Sequence, residues 1–302
     1  MPELPDIEVY VACLAERVVG ATLEKIRVEN PFLLRSVEPR AAELESKRVA
    51  GVRRLGKRVV VELEGELFLV LHLMIAGRLH WLERGKAARK PGLLAAFEFS
   101  SGTLVLTEAG TKRRASLHLV RGEKGLAEHD RGGVEPLEVD RAGFERALTG
   151  ENHTLKRALT DPRLFSGIGN AYSDEILNRA RLSPLKLSQA LASDEIDRLH
   201  ESVRGVLTEW TERLRRETGA GFPKKVTAFR PEMSVHGRFR EPCRQCGSPV
   251  QRIVYAENEC NYCARCQTGG KLLADRALSR LLKQDWPRTL DDTEPGTHPA
   301  GL

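Results

Sequence analysis

The spacing that most restricts this chain lies near its end, in Cys243-x2-Cys246-x16-Cys263-x2-Cys266. Two CxxC knuckles supply four thiolates, the donor set of a closed, tetrahedral zinc site. A redox dithiol needs only one such pair, so the doubling favours a single structural Zn²⁺. Between the knuckles, Val250, Ile253 and Val254 suit a β-hairpin. Cys260 also stands at CxxC spacing from Cys263 and is an alternative ligand, although the outer pair fits better. Four of the six cysteines fall in this pattern, which argues against a disulfide framework. With no basic-then-apolar leader at the N-terminus, a reducing, cytoplasmic setting is expected. The longest apolar run, Leu67 to Ala76, is interrupted by His72 and is too short to span a membrane.

Upstream, the hydrophobic period changes once. Residues 5–19 read as a helix, with Ile7, Val11, Leu14 and Val18 at helical spacing and Cys13 as a packing residue. After Gly20 come seven strand-like stretches: 22–28, 58–63, 66–73, 78–82, 94–99, 103–107 and 115–120. Turn signals such as Glu64-Gly65 and Ser101-Gly102 separate them, and 83–92 is a basic loop. The pattern predicts an antiparallel β-sandwich with the first helix packed on it. Asp130 to Asp140 reads as a linker, after which 141–149, 152–160, 171–180 and 193–216 read as helices. In the last, Ile196, Leu199, Val203, Val206, Trp210 and Leu214 form one core stripe. Residues 217–235 read as a loop, 271–286 as a basic amphipathic helix, and the tail from Pro287 as disordered. The whole is an α+β multidomain chain: a β-sandwich domain over 1–130, a helical domain over 141–235, a zinc finger over 236–270 and an appendage over 271–302. Its 302 residues suffice for two cores, and a net charge of +6 makes a polyanionic partner plausible.

The N-terminus, Met1-Pro2-Glu3-Leu4-Pro5-Asp6, suggests chemistry. Removal of Met1 exposes a secondary amine on Pro2. An α-amine titrates near a pKa of roughly 8, so a useful fraction is unprotonated at neutral pH. Attack by such an amine on an aldehyde-like carbon gives an iminium, an electron sink, and Glu3 is adjacent as a general acid or base. Farther on, Gly167-Ile168-Gly169-Asn170 opens a helix, where backbone N–H groups attract phosphate; Asn170 is equally a simple N-cap.

The Pro2-Glu3-Leu4-Pro5 start, the GxGN turn in a helical middle and the four-cysteine finger resemble, in that order, the formamidopyrimidine-DNA glycosylase and endonuclease VIII family of base-excision repair enzymes. The resemblance covers about residues 1–267. It implies a β-sandwich, a helix–two-turn–helix domain and a zinc finger, with a DNA cleft between them. It makes Pro2 the nucleophile at C1′ of the damaged nucleotide, Glu3 the general acid/base, and Lys57 a catalytic-site phosphate contact. It places His72, Lys156 and Asn170 on the DNA backbone. Arg113 in the loop near the wedge position, and His236, Arg238 and Asn258 around the finger, complete the DNA-binding set. Implied with these are damaged DNA as partner, a monomer, and a cytoplasmic protein on nucleoid DNA when bound. Three positions depart from the family pattern. Asn258 replaces a common arginine, the Arg-Arg-Phe wedge loop becomes Lys112-Arg113-Arg114-Ala115, and Met74-Ile75 follows His72-Leu73 in place of Gly-Met. The alternatives to a bifunctional glycosylase and lyase are an abasic-site lyase and a non-catalytic damaged-DNA-binding module.

Overall fold

The computed structural model describes residues 1–109, 112–224, 226–255, 258–274 and 288–290. Contacts divide the chain into two compact units, Met1–Gly133 with Thr208–Ala228 and Val134–Leu207 with Phe229–Leu302. No helix among the described residues is long and apolar enough to cross a membrane.

The first unit opens with helix α1 (Leu4–Val18), whose first turn tolerates Pro5 because the N–H there has no helical acceptor. Ile7, Tyr10, Leu14 and Val18 are fully buried, while Val11 is only partly covered. Tyr10 thus takes the inward place that the apolar spacing gave to Val11. Strand β1 (Thr22–Val28), helix α2 (Ala41–Leu44) and strands β2 (Lys47–Leu55), β3 (Arg58–Leu63), β4 (Leu67–His72) and β5 (Gly77–Glu83) follow. Then come β6 (Leu93–Phe99), β7 (Gly102–Glu108), β8 (Ser116–Arg121) and helix α3 (Gly122–Ala127). The sheet order is β5-β7-β6-β1-β2-β3-β4-β8, with every pairing antiparallel.

β1 and β2 share only the pairs Thr22↔Arg48 and Leu23↔Lys47. The sheet divides at this narrow join, and its two halves contribute to one core. Val59, Val61, Leu69 and Leu71 come from one half and Ile26, Phe97, Leu104 and Leu106 from the other. This is the expected sandwich, with α1 in the same core. The sequence reading missed β2. It carries Lys47, Arg48, Arg53 and Arg54, and only Val49 along it is buried. A strand with so few apolar side chains lacks the alternation that marked the others.

The second unit begins with α4 (Arg141–Thr149), capped by Asp140, whose Oδ1 accepts from Gly143 N at 2.7 Å. α5 (Leu155–Thr160), α6 (Asn170–Ala180) and α7 (Ser193–Thr218) follow. The stripe on α7 is buried from Ile196 to Leu214, as its period requires. The last turns of α7 count with the first unit, where Leu214 meets Val9 and Cys13. Cys13 is a packing residue there. The stretch expected as a linker is partly tied down, since Val134 N donates to Leu164 O and Ser166 N to Val134 O. The finger consists of a hairpin, β9 (Val250–Tyr255) and β10 (Asn258–Cys263), then α8 (Ala264–Thr268).

Beyond the finger the expected helix does not begin at 271. Lys271 bridges Thr289, Leu272 N donates to Arg288 O, and Leu272 packs with Ile253, Tyr262 and Ala264. The start of the appendage is therefore an extended segment held on the finger, and Arg288–Leu290 is ordered rather than loose tail. The remainder of the expected helix and tail, 275–287 and 291–302, lies outside the described residues.

Candidate active site and nucleic-acid interface

The N-terminal residues are built into the fold. Glu3 is the N-cap of α1 and is 2% exposed. Its backbone N–H donates to Asp6 Oδ2 at 3.1 Å. Asp6 therefore fixes the peptide that joins Pro2 to Glu3, which sets the direction of the proline ring. Pro2, the residue after Met1, is itself buried. Burial pushes the Met1 α-amine below its ordinary range; Arg78 and Lys57 reinforce the shift, while Glu3 and Asp6 oppose it. Four side chains, Arg78, Lys57, Glu3 and Asp6, thus act on the amine at this end of the chain.

Lys57 sits in the two-residue loop between β2 and β3, after Gly56 at φ 60°. That is the position at which a type II′ turn requires glycine. Arg54 holds this loop against α1: its Nε donates to Glu8 Oε1 at 2.6 Å and its Nη1 to Gly56 O at 3.0 Å. His72 ends β4 and lies across from Arg58 on β3 and Ser116 on β8. Burial, with Arg58 and Lys57 adding to it, pushes His72 down to about 4. A neutral imidazole there can donate one hydrogen bond to a phosphate but supplies no charge. The structure thus gathers Pro2, Glu3, Lys57 and His72 in the first unit, and adds Asp6 and Arg54 as their supports.

Two loops carry two of the three departures from the family pattern, and the third, Asn258, begins β10. Met74 adopts φ 51°, a left-handed conformation unusual for a residue with a Cβ. The turn around it is fixed by Gly77 N donating to Leu73 O at 2.9 Å and by Arg78 Nη1 donating to Gly77 O at 2.7 Å. A Cβ on Gly77 would meet Leu73 O at 2.4 Å, so this close turn needs glycine. Ile75 is left 53% exposed at its tip. Arg113 is exposed on the second loop, whose base is held by buried Glu108. The Glu108 carboxylate accepts from Arg114 N at 2.9 Å and Ala115 N at 3.0 Å.

In the second unit, several residues expected on DNA have internal tasks. Asp174 on α6 is fully buried; burial alone would raise its carboxyl, but Lys156 and His236 outweigh this and hold it below the ordinary range. Lys156 Nζ donates to Asp174 Oδ1 at 2.5 Å, Asn170 O at 2.7 Å and Ser173 Oγ at 2.8 Å, which accounts for all three of its N–H groups. His236, 3% exposed, lies with Nδ1 2.7 Å from Asp174 Oδ2 and must carry the proton there. Asn170 is the first residue of α6, and Gly169 is the cap. Its Nδ2 donates instead to Glu259 O on the finger hairpin at 2.8 Å. Arg238 donates to Glu241 Oε2 at 2.7 Å and to the backbone oxygens of Ser234 and Pro242. Glu175 accepts from the N–H groups of Ser234, Val235 and His236. The Asp174-Glu175 pair is thus the anchor of the finger. Sequence reasoning passed over both carboxylates because nothing in one chain marks a mid-helix acid as buried.

The Sγ atoms of Cys243, Cys246, Cys263 and Cys266 all lie within 4.8 Å of one another. A tetrahedron with Zn–S bonds of ~2.3 Å has sulfur–sulfur edges of ~3.8 Å, so four thiolates here fit one ion. Cys260 is outside this group. It is buried beside Asp174, and burial pushes its thiol well up. The ambiguity in the CxxC spacing is resolved by the hairpin register, which pairs Cys260 with Ile253 and Cys263 with Val250.

An antiparallel β-sandwich, a helical unit and a four-cysteine finger, in that order, are the parts of a DNA repair glycosylase. Residues 1–117 match the family model described as the formamidopyrimidine-DNA glycosylase N-terminal domain, and 133–218 that of its H2TH domain. The formamidopyrimidine-DNA glycosylase of Heliobacterium modesticaldum is 32% identical over 88% of this chain and all of its own length. That of Thermus thermophilus is 34% identical over 89% of this chain and all of its own. Among solved structures, the Lactococcus lactis enzyme non-covalently bound to DNA containing an abasic site superposes with a TM-score of 0.76. It is 25% identical, over 88% of this chain and 99% of that one. A MutM complex with DNA containing carbocyclic 8-oxo-G gives the same score at 26% identity, over 88% of this chain and all of that one. The chain belongs to the formamidopyrimidine-DNA glycosylase family, and it is a DNA-binding repair glycosylase.

Proposed function

We propose that this chain excises oxidised bases and cleaves the resulting abasic site by β,δ-elimination, with Pro2 as nucleophile once Met1 is removed. The observation that carries this reading is the capped N-terminus: Asp6 fixes the Pro2–Glu3 peptide, and Glu3 is buried next to the amine position. The Pro2 nitrogen attacks C1′ and sheds its proton while Glu3 protonates the deoxyribose ring oxygen, so that the C1′–O4′ bond breaks. The base then leaves from C1′, taking a proton from water, and the nitrogen lone pair forms the C1′ iminium. The resulting iminium acidifies C2′. Loss of a C2′ proton expels the 3′ phosphate, and a second elimination expels the 5′ phosphate before water releases Pro2. Lys57, on its rigid turn, supplies a cation to the phosphate at the lesion, and neutral His72 a hydrogen bond.

Cys243, Cys246, Cys263 and Cys266 would hold one Zn²⁺, whose contribution is to fold the finger. We read residues 1–130 as the catalytic domain, 141–235 as the helix–two-turn–helix domain and 236–270 as the finger of a cytoplasmic monomer. In this reading Lys156, His236 and Arg238 act on DNA indirectly, by holding the finger and the start of α6. The test is Glu3→Gln, which keeps side-chain size but removes the proton donor. DNA binding should persist while base release falls by at least about a hundredfold, the usual scale of general acid catalysis. Normal excision by this variant would remove Glu3 from the mechanism.

A further inference from the structure

The finger carries an aromatic ring shared by two arginines. The guanidinium carbon of Arg252 lies 4.3 Å from the Phe239 ring centroid, and that of Arg240 lies 5.1 Å from it. Arg240 is exposed, and the Arg252 side chain is 44% exposed. Stacking occupies the flat face of a guanidinium and leaves its N–H edge available for oxygen acceptors. Arg238, two residues away, turns inward onto Glu241 and finger carbonyls. Among the described residues no carboxylate pairs with Arg240, and Arg252 faces Glu259 only at 3.7 Å.

Arg240 also has φ 71°, in the left-handed region where a Cβ is unfavourable. Its backbone is committed to this shape, because Arg240 N donates to Val250 O and Val250 N donates to Glu241 O, both at 2.9 Å. Glycine would meet the same backbone demand without strain. A strained side chain that is exposed, cationic and stacked points to a task outside the fold.

We propose that Arg240 and Arg252, splayed on Phe239, form a phosphodiester-gripping site on the finger, distinct from position 258. This rests on the reading of the chain as a DNA glycosylase. The ring fixes both guanidiniums before DNA arrives, so less side-chain freedom is lost on binding. The contact adds to affinity and salt dependence without reading bases.

The test uses the zinc-loaded full chain with duplexes that are undamaged or carry an abasic-site analogue. Arg240→Gly and Arg252→Gln should each lower the slope of log affinity against log salt by about one. Both duplexes should weaken by the same factor. Phe239→Leu keeps an apolar side chain without a ring and should reproduce part of the loss. Arg240→Gly should also leave the melting temperature equal or higher, since it relieves the left-handed residue; a purely structural arginine would lower it. Unchanged slopes in variants that still trap abasic DNA would overturn the site while leaving the glycosylase reading intact. A loss confined to the lesion-bearing duplex would overturn it too, because phosphate contacts do not distinguish bases. A wild-type chain that neither binds nor traps DNA would overturn both.

Discussion

The proposed chemistry depends on a few atoms at the end of the chain, held by partners with no catalytic task of their own. An acid in a first turn, such as Asp6, suits a helix start, but only the fold shows that its carboxylate holds the Glu3 N–H, and so the ring next to it. Pro2 and Glu3 were legible because their order is itself chemical; Arg54 was not, since its partners Glu8 and Gly56 are set by strand pairing. His72 gives a pH prediction. Its folded pKa lies at about 4, below the ordinary 6.5. Above pH 6.5 both folded and unfolded chains leave it neutral. As pH falls from 6.5 towards 4 the unfolded chain takes up a proton that the folded one refuses, so stability declines across that window. In thermal melts from pH 7 to pH 5, His72→Gln should lose less melting temperature than wild type. Equal losses would show that His72 titrates normally.

At the level of elements, periodicity found the apolar strands and the long helix and missed what is polar on both sides. β2 was invisible because arginines and lysines line it, and the start of α6 was misread because Asn170 reaches to the finger rather than capping its own helix. The metal site was legible to within one cysteine. The hairpin register places Cys260 against Ile253 and away from the four-thiolate group. Metal analysis should therefore find one Zn²⁺ per chain in wild type and in Cys260→Ser, and a loss of zinc in Cys246→Ser. Zinc lost from Cys260→Ser and kept by Cys246→Ser would reverse the ligand assignment.

For the whole molecule, the net charge of +6 suits a polyanionic partner. Residue type alone did not say which cations are available. Lys156 and Arg238 are consumed inside the second unit, whereas Arg113 is exposed. Position 258 carries no charge, so Asn258→Arg should tighten DNA binding and steepen its salt dependence by about one unit of slope. An unchanged slope would mean that no phosphate comes within reach of that position. The central claim is that catalysis runs through the amine of Pro2. Its most direct test is borohydride reduction of the chain with abasic-site DNA, followed by peptide mass analysis of the adduct. The account predicts that Met1 is absent and that the reduced sugar is attached to Pro2. An adduct on Lys57 or another lysine, or efficient trapping by a chain that retains Met1, would contradict it.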